Sequence, residues 1–202
     1  MSLSAGYFEE LYAESADPWS LEHRWYEERK YALTMASLPR ARYRRAFEPG
    51  CSVGVLTAML AGRCDELLAS DVADAAITAT RRRVAAEPHV TVYRLQIPHE
   101  WPGGAFDLIV LSEIAYYLEP RDLVALAGRA ADSLTDDGAL VVVHWRHRVE
   151  DYPLRGDEVN RVLCHAPGLG VLAHHEERDF RLDVLVREPV VSVAAAEGLV
   201  AK

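Results

Sequence analysis

The chain of 202 residues lacks any run of about 18 uninterrupted apolar residues, which excludes an ordinary membrane-spanning helix. Its start, "MSLSAGYFEE", has neither a basic n-region nor an apolar h-region, so no secretory signal is expected and the cytoplasm is the expected location. Cysteine is scarce. Cys51, Cys64 and Cys164 are odd in number and have no metal-ligand spacing, so they read as reduced thiols, and no metal site is indicated. Positive charge is in deficit, with 22 Lys and Arg against 31 Asp and Glu, a formal net charge of -9. That balance argues against nucleic acid as a partner. The basic clusters "PRARYRR" and "TRRRV" are local and read as solvated faces. No Gly-Lys-Ser/Thr follows a glycine loop, which removes the P-loop nucleotide enzymes. No internal repeat and no low-complexity tract interrupts the chain.

What is present is an alternation of strand and helix patterns. "RRAFEPG" reads as a short buried strand ending at Glu48, followed by a helix in "VGVLTAMLAGR" that stops at Gly62. "DELLASDV" is a second strand ending near Asp71, and "ADAAITATRRRVAAE" an Ala-rich helix closed by Pro88. "HVTVYRLQ" alternates as a third strand. "AFDLIVLSE" is nearly all apolar, as a central parallel strand covered on both faces must be. "PRDLVALAGRAADSL" is a helix ending at a turn, "TDDG", and "GALVVVHWR" is a fifth strand. A helix in "RGDEVNRVLCHA" precedes two strands joined around "EERD". The order predicts a Rossmann-like α/β fold: a doubly wound, mostly parallel, seven-stranded sheet with an antiparallel hairpin at its C-terminal edge. Residues 1–40 read as a helical segment broken at "ESADPWS". The expected organisation is one domain over 1–202, with a helical lid at 1–40, the α/β core at 41–188 and a flexible tail at 189–202.

In such sheets ligands sit at the carboxyl ends of the strands, beside the reversal of strand order. Three of those ends carry marked residues. Glu48 leads into "PGCSVG", where Gly50, Cys51, Ser52 and Gly54 have little side chain to keep a ligand off the backbone. Asp71 can accept hydrogen bonds from ribose hydroxyls with Val72 beside it, or can cap the helix that follows. Ser112 and Glu113 end the fourth strand. The glycine spacing departs from the G-x-G-x-x-G of dinucleotide enzymes, and Glu48 would repel a pyrophosphate while favouring a cationic ligand.

The pattern Glu48-x-Gly50-x-Ser52-x-Gly54 resembles the first motif of class I S-adenosylmethionine-dependent methyltransferases, with Ser52 in place of the middle glycine. The resemblance spans about residues 45–145. With "DPWSLEHRWYEERKYALTMASLP" and "FDLIVLSEIAYYL", the chain looks like the nodulation protein NodS group of N-methyltransferases that act on a deacetylated amino sugar. The resemblance implies S-adenosyl-L-methionine as cofactor, S-adenosyl-L-homocysteine as product, and an amine or sugar-like acceptor. It places Gln96 and Ile97 at the adenine, or in an ordinary loop, and Ser112 and Glu113 at the methionine or acceptor end. Trp19 and Tyr26 either reach the cofactor from the lid or pack the lid's own core. His144, Glu113 and Tyr116 are the catalytic candidates, with His144 first as base, although a histidine at a strand end is commonly structural. His174 and His175 read as hairpin surface. O-methylation of a small metabolite and a non-catalytic cofactor-binding module remain as alternatives, and the assembly is read as a monomer or homodimer.

Overall fold

The computed structural model describes residues 1–200. Seven strands form one sheet: β1 (Tyr43–Pro49), β2 (Cys64–Asp71), β3 (Val90–Arg94), β4 (Phe106–Ser112), β5 (Leu134–Trp145), β6 (Leu169–Glu176) and β7 (Phe180–Arg187). Their order is β3-β2-β1-β4-β5-β7-β6. The first five run parallel, and β7 lies antiparallel between β5 and β6. The order reverses between β1 and β4, so a crevice opens where Pro49 and Ser112 end these strands.

Alternation along the strands sorts the core into two layers. Ile109 and Leu111 of β4 join Leu140 and Val142 of β5 under α5 (Pro120–Ser133). Leu108 and Val110 join Val141 and Val143 on the other face, under α2 (Trp25–Ser37) and α3 (Val55–Ala61). Asp107 breaks the apolar run of β4 but is buried with its carboxylate accepting from the backbone N–H groups of Arg44 and Arg45, each at 2.9 Å. It holds the entry to β1 in place, at the end of the sheet away from the crevice.

The remaining helices are α1 (Ala5–Glu14), α4 (Asp74–Arg83), α6 (Gly156–Leu163) and a single turn, α7 (Val193–Ala196). Gly62 caps α3, where the sequence placed its stop. Two details differ from the sequence reading. "TDDG" is not a separate turn but part of β5, which starts at Leu134 and takes up the extra residues as an irregularity opposite Phe106 and Leu108. The expected flexible tail contains α7, capped by the Ser192 side chain; Ala201 and Lys202 of that tail lie outside the described residues. α5 has no basic residue in its last turn. Its C-terminal carbonyl charge is met instead by Arg187 of β7, which donates to the carbonyls of Ala131 and Leu134. No helix among the described residues is long and apolar enough to cross a membrane, and no group of three or more His, Cys, Asp or Glu there is placed to hold a metal ion.

Candidate active site

The turn after β1 is fastened to β2, because the N–H groups of Gly50 and Cys51 both donate to the Ser70 carbonyl, at 2.7 and 2.9 Å. Gly50 and Gly54 have positive φ, 78° and 79°. The two glycines serve different neighbours. A Cβ on Gly50 would lie 2.0 Å from Cγ2 of Ile114, so the turn presses against the end of β4. A Cβ on Gly54 would lie 2.9 Å from the Thr80 side chain, so this glycine lets α3 and α4 approach. Gly54 therefore belongs to helix packing and does not line the crevice. Ser52 also has positive φ, 50°, which costs a non-glycine residue about 1–2 kcal/mol. Its N–H donates to Asp71 Oδ2 at 3.0 Å, and its hydroxyl is 2.6 Å from the Tyr12 hydroxyl of α1. These two bonds explain how a serine holds the middle position of the motif.

Asp71 does not cap α4. Oδ1 accepts from the N–H groups of Val72 (2.8 Å) and Ala73 (3.1 Å), while Oδ2 takes Ser52, so the carboxylate organises the corner between the β1 and β2 turns. A carboxylate has about four lone-pair positions, which leaves one for a further donor. Burial raises the Asp71 carboxyl above its ordinary value against the pull of these N–H groups. Glu48 is 3% exposed, and burial, with Asp71 adding to it, pushes its carboxyl up to about 8. Its Oε2 and the Ser70 hydroxyl are buried without a hydrogen-bond partner, and both residues line one cavity.

That cavity has a volume of about 350 Å³. Gly50, Cys51, Asp71 and Val72 line one side, Gln96 and Ile97 the loop beyond β3, Ser112, Glu113 and Tyr116 the far wall, and Trp19 and Tyr26 the lid. Of the residues singled out from sequence, Gly54 and His144 are absent from its walls. Trp19 meets Tyr12 edge-on at 5.8 Å, and Tyr26 meets Trp145 edge-on at 5.5 Å, so each serves the packing of the lid as well as the cavity. The Tyr26 hydroxyl is another buried group without a partner.

Glu113 is the hub of the far wall. It too has positive φ, 59°, which turns its carboxylate back towards the lid. It accepts from Lys30 Nζ (2.8 Å), the Tyr116 hydroxyl (2.5 Å) and the Trp145 backbone N–H (3.0 Å). Lys30 is 2% exposed and also pairs with Glu27 at 2.9 Å. Burial opposes charge on Glu113, but Lys30, then His144 and the Tyr116 O–H, outweigh it and hold the carboxyl below its ordinary value. Burial likewise opposes charge on Lys30, and Glu113 and Glu27 together raise its pKa. Lys30 and Glu27 escaped the sequence reading; the available signal was a Glu-x-x-Lys pair one helical turn apart, hidden in the charged run Glu27-Glu28-Arg29-Lys30 of α2. Tyr152, stacked on Tyr116 at 5.0 Å, was also missed, since it comes from a loop far along the chain.

His144 does not fit the base role expected for it. It is fully buried behind the wall. Its Nε2 accepts from the Ala115 N–H at 3.2 Å, which places the ring proton on Nδ1, where it is donated to Asn160 Oδ1 at 2.8 Å. Asn160 in turn donates to Asp183 Oδ2 at 2.7 Å. Burial lowers the His144 pKa to about 4, against the opposing charge of Glu113. A neutral imidazole with both nitrogens committed has no lone pair to offer a substrate. His174 and His175 lie on edge strand β6, paired to Asp183 and Glu177, remote from the cavity walls.

The sequence profile of the Nodulation protein S (NodS) family matches residues 9–151. Nodulation protein S of Rhizobium tropici is 35% identical over 127 residues, covering 62% of this chain and 53% of that protein. The chain thus spans about half the length of the curated relatives it matches. A solved structure of a candidate methyltransferase from Pseudomonas syringae is 46% identical, with a TM-score of 0.72 over 81% of this chain and 100% of that one. N-methyltransferase NodS from Bradyrhizobium japonicum WM9, in complex with S-adenosyl-L-homocysteine, superimposes with a TM-score of 0.81 over 92% of this chain and 98% of that one; at 24% identity the likeness speaks for the fold. With the family profile covering most of the chain from the lid through the far wall of the cavity, the protein belongs to the NodS family.

Proposed function

We propose that this protein is an S-adenosylmethionine-dependent methyltransferase acting on a small-molecule amine, an amino sugar or a related compound. The observation that carries this reading is a single cavity with two unlike walls. One wall has the glycine turn, the spare acceptor position of Asp71 and the unpartnered Glu48 Oε2 and Ser70 hydroxyl. The other has Glu113 and Tyr116. The first wall fits the cofactor, because buried polar atoms without partners are costly and call for a ligand. Asp71 would receive ribose hydroxyls, Gln96 and Ile97 the adenine, and Glu48 the positively charged methionine end, which also favours the ionised form of Glu48. Trp19 and Tyr26 would cover it from the lid, and the chain works as one unit of lid and core. When bound, the cofactor supplies a methyl group activated by its sulfonium.

The protein's part is alignment and exclusion of water, which in a well-oriented reaction lowers the barrier by about 7–11 kcal/mol. Neither His144 nor Glu113 is a free base: His144 is sealed and neutral, and Glu113 is spent on Lys30, Tyr116 and Trp145. An amine suits such a wall better than a hydroxyl, since it becomes a nucleophile by losing its own proton to water, whereas a hydroxyl depends on a base. This is the chemistry named for the N-methyltransferase NodS of Bradyrhizobium.

The test is calorimetric titration with S-adenosylmethionine and S-adenosylhomocysteine, followed by transfer of labelled methyl to a panel of amino sugars, alkyl amines and phenols. Binding of both cofactor forms and transfer to at least one amine are expected. Failure to bind either form would sink the reading, and transfer confined to phenols would replace the amine with a hydroxyl acceptor.

A further inference from the structure

Among the described residues Lys30 is the one buried Lys or Arg, and nothing in the methyltransferase reading requires it there. It is carried by α2 and reaches across the cavity edge to Glu113 at the end of β4. Glu113 occupies a left-handed corner that an unbranched acidic residue adopts only when its side chain is held. The groups facing it are Tyr26, Glu27, Lys30 and Tyr31 from α2, Tyr116 and Tyr117 from the turn after β4, and His144 with the Trp145 N–H from β5. Among these Lys30 is the cation present throughout the neutral range, whereas His144 gains its proton only near pH 4.

We propose that Lys30 is a positioning residue of the acceptor wall: it fixes Glu113 as a carboxylate, and Glu113 fixes the direction of the Tyr116 hydroxyl. A carboxylate only accepts, so the phenol must spend its single hydrogen on Glu113, at 2.5 Å. The Tyr116 oxygen then presents lone pairs alone to the cavity that it lines. A wall of this kind receives an acceptor through an N–H hydrogen. It favours primary and secondary amines, which keep a hydrogen to donate while their lone pair points elsewhere, over tertiary amines, which have none. Stacking of Tyr116 on Tyr152, with ring planes 17° apart, keeps the phenol from swinging away. The inference rests on the methyltransferase reading for the identity of the acceptor, but the arrangement of Lys30, Glu113 and Tyr116 is open to test without any acceptor.

The carboxyl carbon of Glu113 is followed by ¹³C NMR against pH, its resonance assigned by Glu113→Gln, in the wild type, Lys30→Met and Lys30→Arg. The wild-type carboxyl should stay ionised below the ordinary glutamate range. Lys30→Met should move the titration up by about 2 pH units, as expected for a partly buried carboxylate that loses its hydrogen-bonded cation, and Lys30→Arg should restore most of the wild-type curve. An unchanged Glu113 titration in a folded Lys30→Met protein would overturn the proposal. Should Lys30→Met fail to fold, the wild-type curve decides alone, since a carboxyl titrating in the ordinary range would show that Lys30 does not set it. Calorimetry with S-adenosylhomocysteine separates the two levels. A wild type that fails to bind it removes the methyltransferase reading, while the Glu113 curve still decides the role of Lys30.

Discussion

The hydroxyl of Tyr12 in the first helix lies 2.6 Å from the hydroxyl of Ser52 in the glycine turn, so the lid is hydrogen-bonded directly to the segment proposed to cradle the cofactor. Ser52 is thereby both a strained residue and an anchor. Ser52→Ala keeps the positive φ and loses the bond, and should cost about 1 kcal/mol in urea unfolding. Ser52→Gly relieves the strain and should recover most of that loss. If Tyr12→Phe and Ser52→Ala add fully in the double variant, the two hydroxyls do not interact.

Gly50 should prove more structural than a ligand-contact argument suggests. Gly50→Ala forces a Cβ to within 2.0 Å of Ile114 Cγ2 at a φ that L-residues avoid, and should destabilise the protein by about 2–4 kcal/mol. Adding Ile114→Ala should return part of the stability. Thermal unfolding of the pair checks this, and no recovery would mean that the backbone angle is the whole cost.

Asp71→Ala should weaken both fold and cofactor binding. It removes the acceptor for three backbone N–H groups as well as the one proposed for ribose. Hydrogen bonds to a charged group are worth about 1.5–3 kcal/mol each, so the melting temperature should fall together with the affinity for S-adenosylhomocysteine. A full loss of affinity at unchanged stability would mean that the corner holds itself.

Stability should respond to pH through Glu48 and His144 in opposite directions. The Glu48 pKa rises on folding, from 4.5 to about 8, so the folded protein holds a proton that the unfolded chain has lost. Its contribution is present below about pH 4.5 and is lost as pH rises towards 8. Glu48→Gln should flatten that decline. The His144 pKa falls on folding, from 6.5 to about 4, so its contribution is present above 6.5 and is lost on acidification through that window. Unfolding free energies of the wild type and Glu48→Gln from pH 4.5 to 8 measure the Glu48 effect; parallel slopes would contradict it.

His144→Gln should leave the pH profile of methyl transfer unchanged on any acceptor identified, because the ring is sealed from the cavity. Loss of the rise in rate on the acid side of the profile in that variant would restore His144 as a base.

The strand order, the glycine turn and the lining residues from Glu48 to Tyr116 were legible because each rests on local pattern: apolar runs, small residues and acids at strand ends. Lys30 was not, because its partner Glu113 is far away in sequence and only the docking of α2 joins them. His144 misled for a related reason. Its position at the end of β5 was read correctly, but whether it faces the cavity or the interior depends on Asn160 and Ala115, which the order of residues does not disclose. Gly54 belonged to the motif, yet its reason lies in Thr80 on α4.

β7 is next to last in the sheet and last of all in the chain, yet two links run from it to the acceptor side. Asp183 holds Asn160, which holds His144, which receives the N–H of Ala115 in the turn that carries Tyr116. Arg187 closes the end of α5, which follows that same turn. During synthesis, then, a nascent chain can have β1, β4 and the glycine turn paired outside the ribosome while Asn160 and His144, behind the turn that carries Tyr116, still lack Asp183. Completion of the hydrogen-bonded support behind the acceptor wall waits on the last strand. Pulse-labelled amide exchange during refolding should find Ala115 protected late, in step with β7 rather than with its own neighbours on β4.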